Sequence, residues 1–244
     1  MSFLNQNALS FSNASLNRAS WTFSDDFSSY ADTTAGDAAY PTSDTAKSRV
    51  NPTTDVLDFN LIDDSTNNGI SHDLTTVSNT AWLLRMKVIF TSFSEPSDFT
   101  QLSNIGLSST DYTAASNSAQ DFVGLEIRKG VTASAGEEGW YTNSTDNANL
   151  NGAAINKFTY ESGAISTQTI YLKIIRSSST SMNIGFGTTS GYTDNTENKV
   201  STISSSTTSL RYLSWKNQTN TGRNATMQGT ADDIQFNNGV TTPP

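Results

Sequence analysis

The stretch Trp82 to Phe93, W-L-L-R-M-K-V-I-F-T-S-F, decides the fold. Trp82, Leu84, Met86, Val88 and Phe90 fall on one side of an extended chain. Arg85, Lys87 and Thr91 fall on the other, with Leu83 and Ile89 as less clean members. This is period-two alternation, expected of a strand with one face on a core. A helix would set Arg85 and Lys87 among apolar neighbours three and four positions away. Two later stretches repeat the pattern. Val123, Leu125 and Ile127 alternate with Gly124, Glu126 and Arg128, and Ile170, Leu172 and Ile174 alternate with Tyr171, Lys173 and Ile175. Three such strands require a second layer over their apolar faces.

Further short strands are expected at Trp21–Phe27, Arg49–Asn51, Val56–Leu61, Ile70–Leu74, Leu102–Leu107, Lys157–Tyr160, Ser181–Gly187, Leu210–Lys216 and Ala231–Phe236. Between them lie polar loops. Ser28–Ser48 contains Pro41, which a central strand excludes. The run Asp63–Gly69, D-D-S-T-N-N-G, is turn chemistry with Asn68-Gly69 as a hairpin tip. Its composition also suits calcium, but it lacks the final Glu of an EF-hand loop. Ser108–Gln120 and the segment holding G-E-E-G-W-Y at Gly136–Tyr141 are read as excursions, and Gly191–Glu197 as a loop. Residues 1–19 are read as an arm with a short helix near Asn13–Arg18, residues 20–239 as one domain, and residues 240–244, V-T-T-P-P, as a tail. Strands at this spacing without an amphipathic helix mean an all-β, two-sheet antiparallel β-sandwich.

The chain has 244 residues, a formal net charge of -9 and a pI near 4.4. No basic patch is visible, so nucleic acid is not expected as a partner. Only 15% of residues are charged and 34% are hydrophobic, yet 10% are aromatic and lie inside the strand-like runs; disordered chains are poor in aromatics. With no cysteine, neither a disulfide nor thiolate chemistry is available. No run approaches the roughly 20 apolar residues of a membrane span, and the first residues lack the pattern of a secretory signal. The sequons at Asn13, Asn143, Asn217 and Asn224 are read as chance matches in a chain rich in Asn, Ser and Thr.

In order along the chain stand W-x-F-x-D-D-F at Trp21–Phe27, the Trp82 strand, F-V-G-L-E-I at Phe122–Ile127, I-Y-L-K-I-I-R at Ile170–Arg176, and A-D-D-I-Q-F-N-N-G at Ala231–Gly239. This order resembles the concanavalin A-like lectin and glucanase superfamily in its laminin-G-like jelly-roll form. The resemblance implies two antiparallel sheets, one of them concave, with the first and last strands side by side. Its members include lectins, carbohydrate-binding modules, glycosidases, polysaccharide lyases and adhesion modules. Fold does not choose among these.

The glucanases of that superfamily carry E-x-D-x-x-E on one strand. Here the nearest string is Gly124-Leu-Glu126-Ile-Arg128, with arginine where a second acid belongs. Glu126 is expected on the solvent side, paired across strands with Arg85, Lys87 or Lys173. For an enzyme, Glu126, His72 and Arg128 are the candidate catalytic set. For a glycan-binding protein, Trp140, Tyr141, Trp215 and Tyr192 are candidate stacking platforms, with Tyr40 and Tyr112 behind them. Arg85, Lys87, Glu126, Arg128 and Lys173 would line the concave face. Trp21 and Trp82 are read as core. Asp25, Asp26, Asp232 and Asp233 would meet across the first and last strands and suit a structural Ca²⁺.

The main expectation is a non-enzymatic recognition or adhesion module that binds a glycan or cell-surface polysaccharide, outside a cell or on a virion. The alternative is a polysaccharide-degrading hydrolase or lyase. A third reading is a self-assembling surface protein.

Overall fold

The structure is a computed structural model. It describes residues 20–63, 69–94, 100–113, 119–129, 139–148, 150, 154–159, 166–192, 197–217 and 225–244. The elements are β1 (Phe23–Asp25), α1 (Thr33–Ala39), β2 (Arg49–Asn51), β3 (Val56–Asp63), β4 (Gly69–Asp73), β5 (Trp82–Ser94), β6 (Thr100–Ser108), β7 (Gln120–Lys129), β8 (Gly139–Ala148), β9 (Ala154–Lys157), β10 (Thr169–Ser178), β11 (Ser181–Gly187), β12 (Glu197–Thr202), β13 (Tyr212–Asn217) and β14 (Ala225–Asn238).

They form two antiparallel sheets. The larger has eight strands in the order β12-β11-β10-β5-β14-β3-β2, with β1 also paired to β14. The smaller has six, in the order β4-β13-β6-β7-β8-β9. β14 is the longest strand. One of its edges pairs with β5 along its length, and the other with β3 and then β1. First and last strands are therefore neighbours, as expected.

The alternation read from the sequence sets the layers. Trp82, Leu84, Met86, Val88 and Phe90 of β5 point inward with Ile170, Leu172 and Ile174 of β10, and all are buried. Val123, Leu125 and Ile127 of β7 face them from the other sheet with Ile105, Leu107, Leu213 and Trp215. The layers interlock through aromatic rings. Trp140 of β8 lies 5.3 Å from Phe90 and 4.9 Å from Phe186 of β11, centroid to centroid. Each such pair adds roughly 0.5–1.5 kcal/mol beyond its buried area.

Three expectations are corrected. The Ser28–Ser48 loop holds helix α1, whose N-terminus Asp32 caps by accepting from the Ala35 N–H at 2.9 Å. Gly139–Tyr141 is not loop but the start of β8, so Trp140 is core. The last strand begins at Ala225 rather than Ala231. The hairpin tip at Asn68 and the arm helix near Asn13 fall outside the described residues.

On the outer face of the smaller sheet, Gly106 and Gly124 sit opposite each other beneath the Phe122 ring. A Cβ on Gly124 would stand 2.6 Å from that ring and collide with the Ile105 carbonyl. Overpacking of this kind costs about 1–3 kcal/mol. Gly124→Ala is expected to lower Tm by about 3–10 °C, read by thermal unfolding; an unchanged Tm would mean the strands separate freely here.

Candidate functional site

The structure divides the residues singled out above among three places. The first is the core. His72 lies on the inner side of β4, in register with Leu213. Its ring stacks on Phe23 at 4.3 Å and tilts against Tyr40 at 4.8 Å, and its Nδ1 is 2.9 Å from the Ala39 carbonyl. Desolvation holds its pKa below the ordinary value, opposed by Ala39, Asp25 and Asp73. Trp140, Trp215 and Tyr40 are 0% exposed. They are core residues, not stacking platforms. Trp21, read as core, is instead half-buried at the surface.

The second place is the outer face of the six-stranded sheet. One register row crosses all six strands: Gly69, Lys216, Asn104, Glu126, Tyr141 and Lys157. Its middle is buried. Lys216, Asn104 and Glu126 are 0% exposed. Arg128 Nε donates to Glu126 Oε1 at 2.6 Å, and Asn143 Nδ2 donates to Glu126 Oε2 at 2.8 Å and to Asn104 Oδ1 at 2.7 Å. Both oxygens of the carboxylate are thus engaged. Glu126 does not meet Arg85, Lys87 or Lys173, which lie on the opposite sheet. The proposed Glu126–His72 pair also fails. The two sit three strands and three residues apart, roughly 17 Å from strand spacings, on opposite faces of the sheet. That is too far for direct action on one reacting centre.

The row opens to solvent at one end. Arg128 lies 4.6 Å over the Tyr141 ring, and Lys157 Nζ is 5.8 Å from the same ring. These three side chains are half-buried. Asn143 and Asn217, two of the sequon asparagines, are fully buried on this sheet and cannot carry a glycan. Lys216 Nζ faces Thr110 Oγ1 at 2.6 Å, Gln120 Oε1 at 2.9 Å, the Thr110 carbonyl at 3.0 Å and Ser108 Oγ at 3.3 Å. Desolvation pushes its amine down to about 7, and Asp111 opposes the shift. Sequence reasoning missed this lysine, because alternation alone reads it as solvent-facing.

The third place is the outer face of the eight-stranded sheet. Arg85 lies 5.0 Å over the Tyr192 ring and 5.6 Å over Trp21. Lys87 pairs with Asp232 at 3.5 Å. Arg85, Lys87 and Lys173 therefore do not share a face with Glu126 and Arg128. The four acids named for calcium also separate. Asp25 Oδ2 turns inward and accepts from the Tyr30 and Tyr40 hydroxyls at 2.6 and 3.0 Å. Asp26, Asp232 and Asp233 lie outside. Asp26 is held below its ordinary pKa, first by the Ser28 hydroxyl. Among the described residues no three metal-ligating side chains of the His, Cys, Asp and Glu type gather round one point.

Comparison of the sequence with protein-family models finds no match, and comparison with curated protein sequences finds none. Comparison of the structure does find likenesses. A glycosyl hydrolase family protein from Mycobacterium fortuitum superposes with a TM-score of 0.51 at 9% identity, over 88% of this chain and 99% of that one. A β-1,3-glucanase from Mycobacterium marinum gives 0.48 at 9% identity, over 90% and 99%. A family 7 alginate lyase, A1-II′, gives 0.47 at 10% identity, over 79% and 84%. The first likeness shows the fold, a two-sheet jelly-roll sandwich of the concanavalin A-like kind. It does not single out the laminin-G-like form.

Lys216 has a consequence for stability. Its folded pKa lies below the ordinary 10.5, so above pH 7 the unfolded chain binds more protons than the folded one. Stability is then expected to rise with pH from about 7, by at most about 1.4 kcal/mol per pH unit. Near pH 10 the opposite effect begins, because burial holds the Tyr30, Tyr40 and Tyr192 hydroxyls above their ordinary value. Urea midpoints at pH 7, 8 and 9 should climb in the parent. In Lys216→Met the climb should be clearly smaller, with the lowered Lys173 amine leaving a residual rise in the same direction.

Proposed function

We propose that this chain degrades polysaccharide, and that it holds its substrate against the outer face of the six-stranded sheet where Arg128, Tyr141 and Lys157 surface. The observation that carries the reading is the register row itself. Two buried hydrogen-bonded groups, Asn104–Asn143–Glu126–Arg128 and Lys216 with Thr110 and Gln120, fix the strands that present a phenol flanked by two cations. Preorganised charge of this kind is the usual basis of rate enhancement. The glycosyl hydrolase family protein that shares the fold supports a glycoside as the substrate class.

Among degradative chemistries, β-elimination fits these residues better than hydrolysis. Hydrolysis needs two carboxyl groups, about 5–5.5 Å apart for retention. Glu126 is buried, and its two oxygens are held by Arg128 and Asn143. Elimination from a uronate needs a cation to offset the substrate carboxylate and a group that moves protons. Arg128 or Lys157 would meet the carboxylate and lower the pKa of the neighbouring C5 proton. Tyr141 would take that proton. The C5–H electrons form the C4–C5 double bond, the C4–O bond breaks, and Tyr141, which takes the C5 proton as its phenolate, passes that proton to the leaving oxygen. Glu126 and Asn143 are positioning residues, which aim Arg128 without touching sugar.

The test is incubation with a polyuronate and, separately, with a neutral β-glucan, following ultraviolet absorbance of the unsaturated product together with new reducing ends. Both signals should grow on the polyuronate alone. Tyr141→Phe is expected to lower kcat by about 10²–10⁴-fold with little change in binding, and Arg128→Ala to lower kcat/KM by a similar factor. Reducing ends without absorbance would replace elimination by hydrolysis. Retention on the polymer without either signal would return the protein to the recognition class.

A further inference from the structure

The opposite face of the sandwich carries a depression that the reading above does not use. It forms where β14 is irregular. Asp232 pairs with Lys87 and Gln235 with Arg85, so β14 fits one extra residue against β5. In a regular strand Asp233 would turn inward after Asp232. Here it adopts a left-handed φ of 49° and is exposed, while Ile234 takes the core position. Bulges re-aim side chains in this way and recur beside binding sites.

β1 runs alongside, with Ser24 opposite Gln235. Asp26 follows on the same outer side. Trp21 closes the end. Together with Asp233 and Gln235 they line a depression of about 270 Å³. The indole is braced from behind, since Arg85 lies between Trp21 and Tyr192 and Tyr192 packs edge-on against Tyr171 at 5.6 Å. Asp25 and Ile234 complete the lining, which offers one aromatic wall, the outward carboxyls of Asp26 and Asp233, and one amide. The Asp233 carboxyl makes no ion pair among the described residues. Desolvation raises its pKa, Asp232 and Asp26 add to the shift, and Lys87 opposes it.

We propose that this depression is a second saccharide site, which takes a hexopyranose bearing free hydroxyls or an amino group. The sugar ring stacks on Trp21, and Asp26, Asp233 and Gln235 receive its hydroxyl or ammonium protons. A uronate is refused, because its carboxylate would meet Asp26 and Asp233. The two outer faces therefore select opposite chemistries. This site stands whether or not the six-stranded face cleaves polyuronate.

The test uses a property of this chain. Of its four tryptophans, Trp82, Trp140 and Trp215 are fully buried, so acrylamide quenching of fluorescence reports Trp21. Glucosamine oligomers and β-glucan oligomers should each protect Trp21 saturably, while polyuronate oligomers should not. By calorimetry, Trp21→Ala and Asp233→Asn should each weaken glucosamine-oligomer binding ten-fold or more. Polyuronate turnover, if present in the parent, should be unchanged in both. Lack of protection by either oligomer at millimolar concentration would overturn the proposal. So would unaltered affinity in Asp233→Asn, a surface change that leaves the core intact.

Discussion

The contact between Trp140 and the pair Phe90 and Phe186 is the constraint from which the rest follows. It joins β8 of one sheet to β5 and β11 of the other. Once those rings interlock, the inward side of every strand is assigned, because side chains alternate with a period of two and a one-residue slip would reverse each face. The two outward surfaces are then assigned as well. Arg85 and Lys87 go to one, Glu126 and Arg128 to the other, and no loop arrangement can bring them together.

The two outer surfaces solve different electrostatic problems. On the six-stranded side, charged groups have been taken out of water. A buried carboxylate is tolerable only when its oxygens are engaged, and Arg128 and Asn143 do this for Glu126. Lys216 is met by neutral oxygens, which stabilise the ammonium without cancelling it. On the eight-stranded side, the charges remain in contact with water. The Lys87–Asp232 pair there contributes little to stability. Its acids are thus left available for chemistry with a ligand.

Most of the scaffold was legible in the sequence. The strands β5, β7 and β10 alternate cleanly because Trp82–Phe90, Val123–Ile127 and Ile170–Ile174 put an apolar residue at every inward position. β8 was hidden for a physical reason. Its inner face at the sandwich border is polar, and Thr142 bonds to Ser201 of the opposite sheet at 2.9 Å. Without apolar alternation, Trp140 looked like a loop aromatic. The separation of Asp25 from Asp26 was readable, since neighbours on a strand face opposite ways. The outward turn of Asp233 was not, because a bulge leaves no mark in the alternation until its partner strand is known. Nor was the burial of Lys216, Asn104 and Glu126 readable, because period-two logic gives the face of a residue and not what covers it.

The place of β14 between three partners has a consequence for how the chain is made. Phe23 pairs with Phe236, and β3 and β5 are joined only through this strand. A nascent chain that has released everything up to residue 224 therefore holds β2 and β3 apart from β5, with unpaired edges facing water. Non-local pairings of this kind form slowly, and exposed edges recruit other chains. During synthesis the protein is most at risk of aggregation just before its last strand emerges, and insertion of that one segment closes the larger sheet in a single step.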